Sequence, residues 1–353
     1  MSSPIAEIQL TAVAPISEAV SIIEKYRYKI ALVVGDGGVL VGTITDGDVR
    51  RGLLKGYALE APVAAIMNSR PVTLAVTKRG AAREVMARWQ VMQVPLVDAD
   101  GRVVGMEYAS TAASEPTACM LGNTVVIMAG GEGKRLRPFT EVMPKPMLKV
   151  GGKPMLETII ENFSRAGLRD FVLSVNYRAD VIKSHFGDGS NHGVSIRYLE
   201  EPRPMGTAGA LRLLDPAPSQ AIIVVNGDVL TNLDYQNLLQ FHEENRALIT
   251  VALQRYRHTV PFGVVEVQDE LIASIREKPT LEYFVNAGIY VVEPAAIMAI
   301  PGGQSFDMPS LIQLALSHRE RVAAFPIMEY WIDVGHAADL TRATLEYDEA
   351  FSR

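Results

Sequence analysis

Four apolar residues, Val125-Val126-Ile127-Met128, run without a break into Ala129-Gly130-Gly131-Glu132-Gly133-Lys134-Arg135-Leu136-Arg137-Pro138. A buried strand that opens directly into a glycine-rich turn leaves few architectures available. Bare backbone N–H groups at the carboxyl end of a strand make the anion sites of open α/β sheets. The following residues agree: apolar, β-branched runs at 124–128, 171–175, 195–198 and 222–225 alternate with helical patterns over 155–166 and 179–186. That alternation predicts a mainly parallel sheet covered on both faces. Two common phosphate motifs are excluded by spacing. A P-loop needs Gly where Met128 stands and Ser or Thr where Arg135 stands, and a dinucleotide fingerprint begun at Gly131 fails at Leu136.

Upstream the pattern is different. The segment LVVGDGGVLVG at 32–42 recurs as PLVDADGRVVG at 95–105, an offset of 63 residues. The same offset carries Ala19, Ile22, Ile23 and Tyr26, spaced as one helix face, onto Ala82, Val85, Met86 and Trp89. One register fits both elements, so the N-terminal part is a tandem repeat of helix, strand, Asp/Gly turn and strand, with a short β lead at 72–76 in the second copy. The small and polar run STAASEPTACMLGN at 110–123 reads as a linker. A chain of 353 residues is long for one core and suits two. We therefore expect an α+β pair at 1–118, its repeats at about 4–58 and 62–113, and an α/β domain at 119–353.

Charge and composition remove several functions. A formal net charge of -6 offers no basic footprint for nucleic acid. No apolar run approaches a membrane span and the opening MSSPIAEIQL lacks a basic and then apolar leader, so the protein reads as cytoplasmic with no membrane partner. The single cysteine, Cys119, cannot form an internal disulfide and reads as a small hydrophobe near the domain junction.

The tandem unit resembles a pair of cystathionine-β-synthase-type (CBS) domains over about residues 4–113, closest at Gly42-Thr-Ile-Thr-Asp-Gly-Asp48. The resemblance implies a cleft for an adenine nucleotide or related regulator, with Thr45 and Asp48 on the positions that touch phosphate and ribose. The second copy, Gly105-Met-Glu-Tyr-Ala-Ser-Thr111, has neither residue, which leaves one site. A second reading stays open, in which Asp46 or Asp48 caps the helix at 49–55 and the unit is a cap or dimer scaffold. The family also implies a homodimer or higher homo-oligomer.

The glycine-rich segment fits G-G-x-G-x-R-L-x-P-x-T followed by P-K-P, met at Gly130, Gly131, Gly133, Arg135, Leu136, Pro138 and Thr140 and then Pro144-Lys145-Pro146. Over about residues 123–347 the chain resembles the sugar-1-phosphate nucleotidyltransferases, of Rossmann-like fold, and is most similar to the mannose-1-phosphate guanylyltransferase type. In that chemistry a sugar-phosphate oxygen, already anionic, attacks the α-phosphorus of a nucleoside triphosphate. Catalysis then needs positioning and charge neutralisation rather than a Ser, His or Cys base.

The resemblance assigns Arg135 to the triphosphate, Lys145 to phosphate near the reacting centre, and Asp228 and Asp333 to Mg²⁺, with Asp228 also counted as catalytic. Ala129, Gly130, Gly131 and Gly133 line the nucleotide, and Gly206 and Thr207 of Glu201-Pro-Arg-Pro-Met-Gly-Thr-Ala-Gly-Ala210 lie near the base. Gly263, Glu277, Lys278, Asn286 and Gly288 form the sugar-phosphate wall. Asp228 ends the strand run 222–225 as Asn226-Gly227-Asp228, and Asp333 lies in Trp331-Ile-Asp-Val-Gly335, where Trp331 reads as packing. His336 departs from the small hydroxyl residue frequent at that position in the family.

The reaction implied is nucleotidyl transfer from a nucleoside triphosphate, leaning to GTP, to a hexose or amino-hexose 1-phosphate for surface glycans or glycoconjugates. A thymidylyl- or uridylyltransferase reads nearly the same. Two other classes are a CBS-type nucleotide sensor with an inactive transferase half, and a purely structural interaction protein. Loss of Arg135, Lys145, Asp228 or Asp333 would favour the sensor, and all four are present.

Overall fold

The 63-residue repeat is visible strand for strand. The structure, a computed structural model, describes residues 5–26, 28–108 and 121–351, and the chain divides into two units, Met1–Pro116 and Thr117–Arg353. The boundary expected after residue 118, most of the expected linker and Cys119 lie outside the described residues.

In the N-terminal unit, β1 (Gln9–Leu10), α1 (Ile16–Lys25), β2 (Ile30–Val34), β3 (Leu40–Thr45) and α2 (Asp46–Leu54) are followed by β4 (Leu74–Ala75), α3 (Ala82–Trp89), β5 (Gln93–Val97) and β6 (Val103–Tyr108). Two three-stranded sheets result, ordered β1-β2-β3 and β4-β5-β6. In each the first pair is parallel and the second antiparallel, and both second pairs bulge at the same repeat position. The two copies meet through their turns, where Leu40 N donates to Gly101 O at 3.0 Å. Helix α2 starts at Asp46 rather than at residue 49. The wholly buried Arg50 forks onto Asp46 one turn back, Nε to Oδ2 at 2.6 Å and Nη2 to Oδ1 at 2.9 Å.

The second unit runs β7 (Leu121–Met128), β8 (Lys149–Val150), β9 (Lys153–Pro154), α4 (Met155–Arg165), β10 (Leu168–Val175), α5 (Ala179–Phe186), β11 (Ser195–Glu200) and α6 (Gly206–Gly209). It continues through β12 (Ile222–Asn226), β13 (Val229–Thr231), α7 (Tyr235–Asn245), β14 (Ile249–Thr259), β15 (Val264–Gln268), β16 (Leu271–Arg276) and β17 (Thr280–Val292). The last elements are α8 (Pro294–Met298), α9 (Met308–Ser317), β18 (Val322–Pro326), β19 (Trp331–Asp333) and α10 (Ala337–Phe351). The expected linker ends earlier than residue 123, because β7 begins at Leu121, which pairs with Leu168. Asn123 Nδ2 donates to Ala221 O, tying that start to the neighbouring chain.

Seven strands form one sheet in the order β11-β10-β7-β12-β17-β14-β18. All run the same way except β17, antiparallel to both neighbours. Alternating side chains explain why β7 reads as unbroken apolar sequence: Val125 and Ile127 enter one core with Phe163 and Phe171, and Val126 enters the opposite core with Val224 and Leu311. Both faces are covered, so the strands' carboxyl ends are left to do chemistry.

Candidate active site

The site grows from the carboxyl ends of β7 and β12, neighbours in the sheet. Parallel neighbours release their next residues on the same side, so the turn after Met128 and the Asn226-Gly227-Asp228 turn meet. Gly227 N donates to Met128 O at 3.0 Å and joins them. From there β13 runs antiparallel to β19, with Val229 opposite Asp333 and Thr231 opposite Trp331. Asp228 immediately precedes Val229, and Val334 N donates to Asp228 O at 3.0 Å. This short ladder sets two carboxylates, distant in the chain, at one corner.

Lys145 completes the corner. It opens a single 3-10 turn, Lys145–Met147, and is almost buried. Its Nζ donates to Asp228 Oδ2 and stands 4.0 Å from Asp333 Oδ1. Burial, and after it the charge of Asp228, pushes the Asp333 carboxyl above the ordinary carboxylate range, while Lys145 and Arg135 oppose the shift.

Three oxygens here are buried without a hydrogen-bond partner among the described residues: Asp228 Oδ1, Asp333 Oδ1 and Asn226 Oδ1. A buried polar oxygen left unpaired is costly unless something else meets it. Hard oxygens that converge in this way fit a divalent cation of the Mg²⁺ kind. Among the described residues no cluster of three or more His, Cys, Asp or Glu could hold a metal unaided. Two carboxylates fit an ion whose remaining positions go to phosphate and water.

The glycine-rich turn is pinned around this corner. Ala129 N donates to Ser174 O at 2.8 Å and Tyr177 N to Gly130 O at 3.3 Å, both reaching across to the β10 side. Gly133 has a left-handed φ of 64°, and a Cβ there would stand 3.0 Å from both Lys145 Cβ and Thr140 Cγ2. The Thr140 hydroxyl donates to Gly133 O at 2.9 Å, so only glycine allows turn and lysine to pack. Gly131, by contrast, faces open space. Arg135 comes back to the β19 end: its guanidinium lies beside Gly335, and Nη1 is 3.4 Å from His336 Nε2. His336 is held in turn by its own N–H, which donates to Asp339 Oδ2 at the start of α10.

The loop expected near the base is held as a unit. Glu201 accepts from Ser174 Oγ and Met205 N, both at 2.8 Å. Gly206 has φ 76°, with Asp307 Oδ1 only 2.5 Å from where a Cβ would sit. Thr207 N donates to Asp307 Oδ1 at 3.0 Å, and its hydroxyl accepts the N–H of Met308, the first residue of α9. Ala208 and Gly209 N–H groups both donate to Phe306 O. Thr207 therefore caps a helix, and its hydroxyl keeps its own hydrogen for donation.

Of the expected sugar-phosphate residues, Gly288 is brought to the corner: with φ 73°, it lies against Asn226, whose Nδ2 would be 2.6 Å from a Cβ. Asn286 Oδ1 accepts from Gly288 N at 3.0 Å. Gly263 packs on the Glu277 carboxylate. Glu277 and Lys278 are exposed, and Lys278 has a left-handed φ of 44°. Trp331 packs against the core and donates Nε1–H to Ala287 O. In the N-terminal unit, the Asp48 carboxylate accepts from Thr45 N and Oγ1 at 2.9 and 2.8 Å and from Arg51 Nη2 at 2.6 Å. That is cap geometry for α2. Glu201, Asn226, Asp307 and Asp339, which accepts the His336 N–H, were not singled out by sequence reasoning. Only Asn226 carried a signal, its place next to Gly227-Asp228.

The nucleotidyl transferase family model matches residues 124–350, and a CBS domain model matches residues 1–55. The chain is similar to mannose-1-phosphate guanylyltransferase of Mycobacterium tuberculosis, 34% identical over 228 residues that cover 63% of this chain and 63% of that protein. It is 33% identical to mannose-1-phosphate guanyltransferase of Yarrowia lipolytica, covering 65% of each chain. With the UTP--glucose-1-phosphate uridylyltransferase of a Synechocystis species it shares 31% identity over 62% of this chain and 61% of that one. The chain thus spans a little under two thirds of the length of these relatives. Among solved structures, one described as a glucose-1-phosphate thymidylyltransferase from Bacillus anthracis aligns with a TM-score of 0.51 at 26% identity, over 63% of this chain and 94% of that one. Motif, mainly parallel sheet and family match agree, and the chain belongs to the nucleotidyl transferase family, with a CBS domain at its N-terminus.

Proposed function

We propose that this protein transfers a nucleotidyl group from a nucleoside triphosphate to a sugar 1-phosphate, releasing pyrophosphate and forming a nucleoside-diphosphate sugar. The observation that carries the reading is the corner of Lys145, Asp228 and Asp333, with its unpartnered oxygens, beneath a glycine-rich turn that presents backbone to solvent. GTP is the proposed donor and a hexose or amino-hexose 1-phosphate the acceptor. The guanylyl transfer named for the Mycobacterium and Yarrowia relatives supports this choice.

An oxygen of the sugar phosphate forms a bond to the α-phosphorus while the bond to the pyrophosphate oxygen breaks, the electron pair leaving with pyrophosphate. The nucleophile is already anionic, so the work is orientation and charge. Arg135 offers forked donors to the departing phosphates, and Lys145 offers a buried ammonium beside the reacting phosphate. Glu201 holds the base loop in register through Met205, and Asn286 and Gly288 position the acceptor side of the corner. Members of this family generally use a divalent metal ion; we propose Mg²⁺, which when bound by Asp228 and Asp333 would neutralise phosphate oxygens. The N-terminal unit is proposed as a regulatory or dimerising module, with Thr45 and Asp48 in an adenine-nucleotide site. Ribose binding there competes with the α2 cap. Among the described residues no helix is long and apolar enough to cross a membrane.

A matrix of nucleoside triphosphates against sugar 1-phosphates, read by pyrophosphate release, tests the assignment. GTP with a hexose or amino-hexose 1-phosphate should lead. A uridine or thymidine nucleotide in the lead overturns the base choice, and silence across the whole matrix overturns the reaction.

A further inference from the structure

Helix α6 closes the loop expected near the base and is only four residues long, so its opening N–H groups find no partner inside the helix. Its cap position is Met205, whose side chain accepts nothing there. Those donors are met by residues about 100 positions further along the chain. Thr207 N donates to Asp307 Oδ1 at 3.0 Å, and Ala208 N and Gly209 N donate to Phe306 O at 2.9 and 2.8 Å. Phe306 N donates back to Met205 O at 2.9 Å, and Arg203 Nη2 donates to Gly303 O from the outer side of the loop. Helix α9 holds the other half of an exchange. Asp307 stands at its cap position but makes no cap hydrogen bond to it. The second residue of α9 is Pro309, which has no N–H to offer a cap, and the first donor, Met308 N, goes to Thr207 Oγ1 at 2.9 Å. Each helix is therefore capped by a side chain that belongs to the other.

We propose that Asp307 is a positioning residue of the nucleotide site: through Thr207 it ties the loop that meets the base to α9, and so sets how tightly the nucleotide is held without touching the reacting phosphates. Helix α9 is a firm reference for this, because Met308, Leu311 and Ala315 are buried in the same core as Met205 and Val126. A loop held by its own residues alone has to be ordered when the nucleotide arrives, whereas one bonded to a buried helix is ordered beforehand. A carboxylate suits the task, since a charged acceptor binds a backbone N–H more strongly than a neutral one. Asp307 Oδ1 also lies 2.5 Å from where a Cβ on Gly206 would stand, so it closes the turn from that side. The ligand of the loop rests on the reaction proposed above, whereas the exchange of caps does not.

The test uses the full chain as D307A, D307S and D307N, with a fluorescent GTP analogue to read binding and pyrophosphate release to read turnover. Serine is a good cap for α9 itself, but its hydroxyl is one bond too short to reach Thr207 N. D307S therefore keeps an ordinary cap and loses the cross-bond, which separates positioning from plain helix stability. D307A and D307S should weaken binding of the analogue and raise nucleotide KM about fivefold to tenfold, as loss of one charge-assisted hydrogen bond implies. Their kcat and their KM for sugar 1-phosphate should stay within about twofold of wild type, because the loop is remote from the bond that breaks. D307N, whose amide oxygen still accepts from Thr207 N, should recover most of the affinity. A D307S protein that binds the analogue like wild type, or a D307N protein as weak as D307A, would overturn the proposal. So would a wild type that binds no analogue, or a fall in kcat that matches the rise in nucleotide KM. A wild type that binds the analogue and releases no pyrophosphate with any sugar 1-phosphate would count against the reaction, and the binding comparison would still decide on Asp307.

Discussion

Replacing Asp228 by Asn tests the corner most directly, because it removes one charge with almost no change in shape. Asp228 Oδ2 accepts from Lys145 Nζ, and Oδ1 is one of the three unpartnered buried oxygens. An amide oxygen can still accept the lysine hydrogen bond, and β13 stays paired to β19 through backbone, so the fold should survive with a loss of about 1–2 kcal/mol in stability. The charge is another matter. At ~4 Å and an effective dielectric of ~20, one unit charge against a cation is worth about 4 kcal/mol, close to three powers of ten in rate. The substitution should therefore lower Mg²⁺-dependent kcat/KM for pyrophosphate release about 1,000-fold. A thermal melt should meanwhile stay within a few degrees of wild type. The assay is a coupled pyrophosphate measurement over a magnesium titration. Turnover within about threefold of wild type at saturating metal would refute the assignment of Asp228 to metal and phosphate.

Other expectations follow from single contacts. Gly133→Ala forces a Cβ against Lys145 and Thr140 at a left-handed φ, costing about 1–2 kcal/mol from backbone alone; the melting temperature should fall and nucleotide KM should rise by about tenfold. His336→Ala removes the acceptor beside Arg135, so nucleotide KM should rise several-fold with little change in stability, and His336→Gln should restore most of it; equal kinetics in all three proteins would show that the contact does nothing. Asp48→Ala removes the carboxylate that ties Thr45 to α2, lowering the stability of the N-terminal unit by about 1 kcal/mol. Any adenine-nucleotide shift in the melt should vanish with it. A shift that persists in Asp48→Ala would remove Asp48 from the ribose role.

Much of the fold was legible because it is local. The 63-residue repeat reappears in β2 with β5 and in β3 with β6, since alternation and turn chemistry act within a few residues. The first half of the second unit was read nearly to the residue at α5 (Ala179–Phe186) for the same reason. The hairpin β15–β16 was not read because nearly all of it is exposed, and the ribbon of β14 with β17 was not read because only one end of each strand is buried, Ile249–Ala252 and Ala287–Val292, while the rest runs out into solvent. Residue 121 was assigned to a linker because Gly122 and Asn123 look like turn residues, whereas pairing with Leu168 makes the stretch a strand.

By itself the sequence determined which chemistry is available: a glycine-rich turn at a strand end, one lysine and one arginine in a dense motif, and two aspartates at separate strand ends. Only the tertiary structure decided that those aspartates meet. Their encounter depends on the β13–β19 ladder, which nothing in either segment's own pattern announces, because register between distant strands is set by the sheet and core that deliver them. The same holds for His336 beside Arg135 and for Glu201 and Asp307 around the Gly206 loop, contacts bridging long stretches of chain. Local periodicity names the groups, and long-range pairing brings charge to charge.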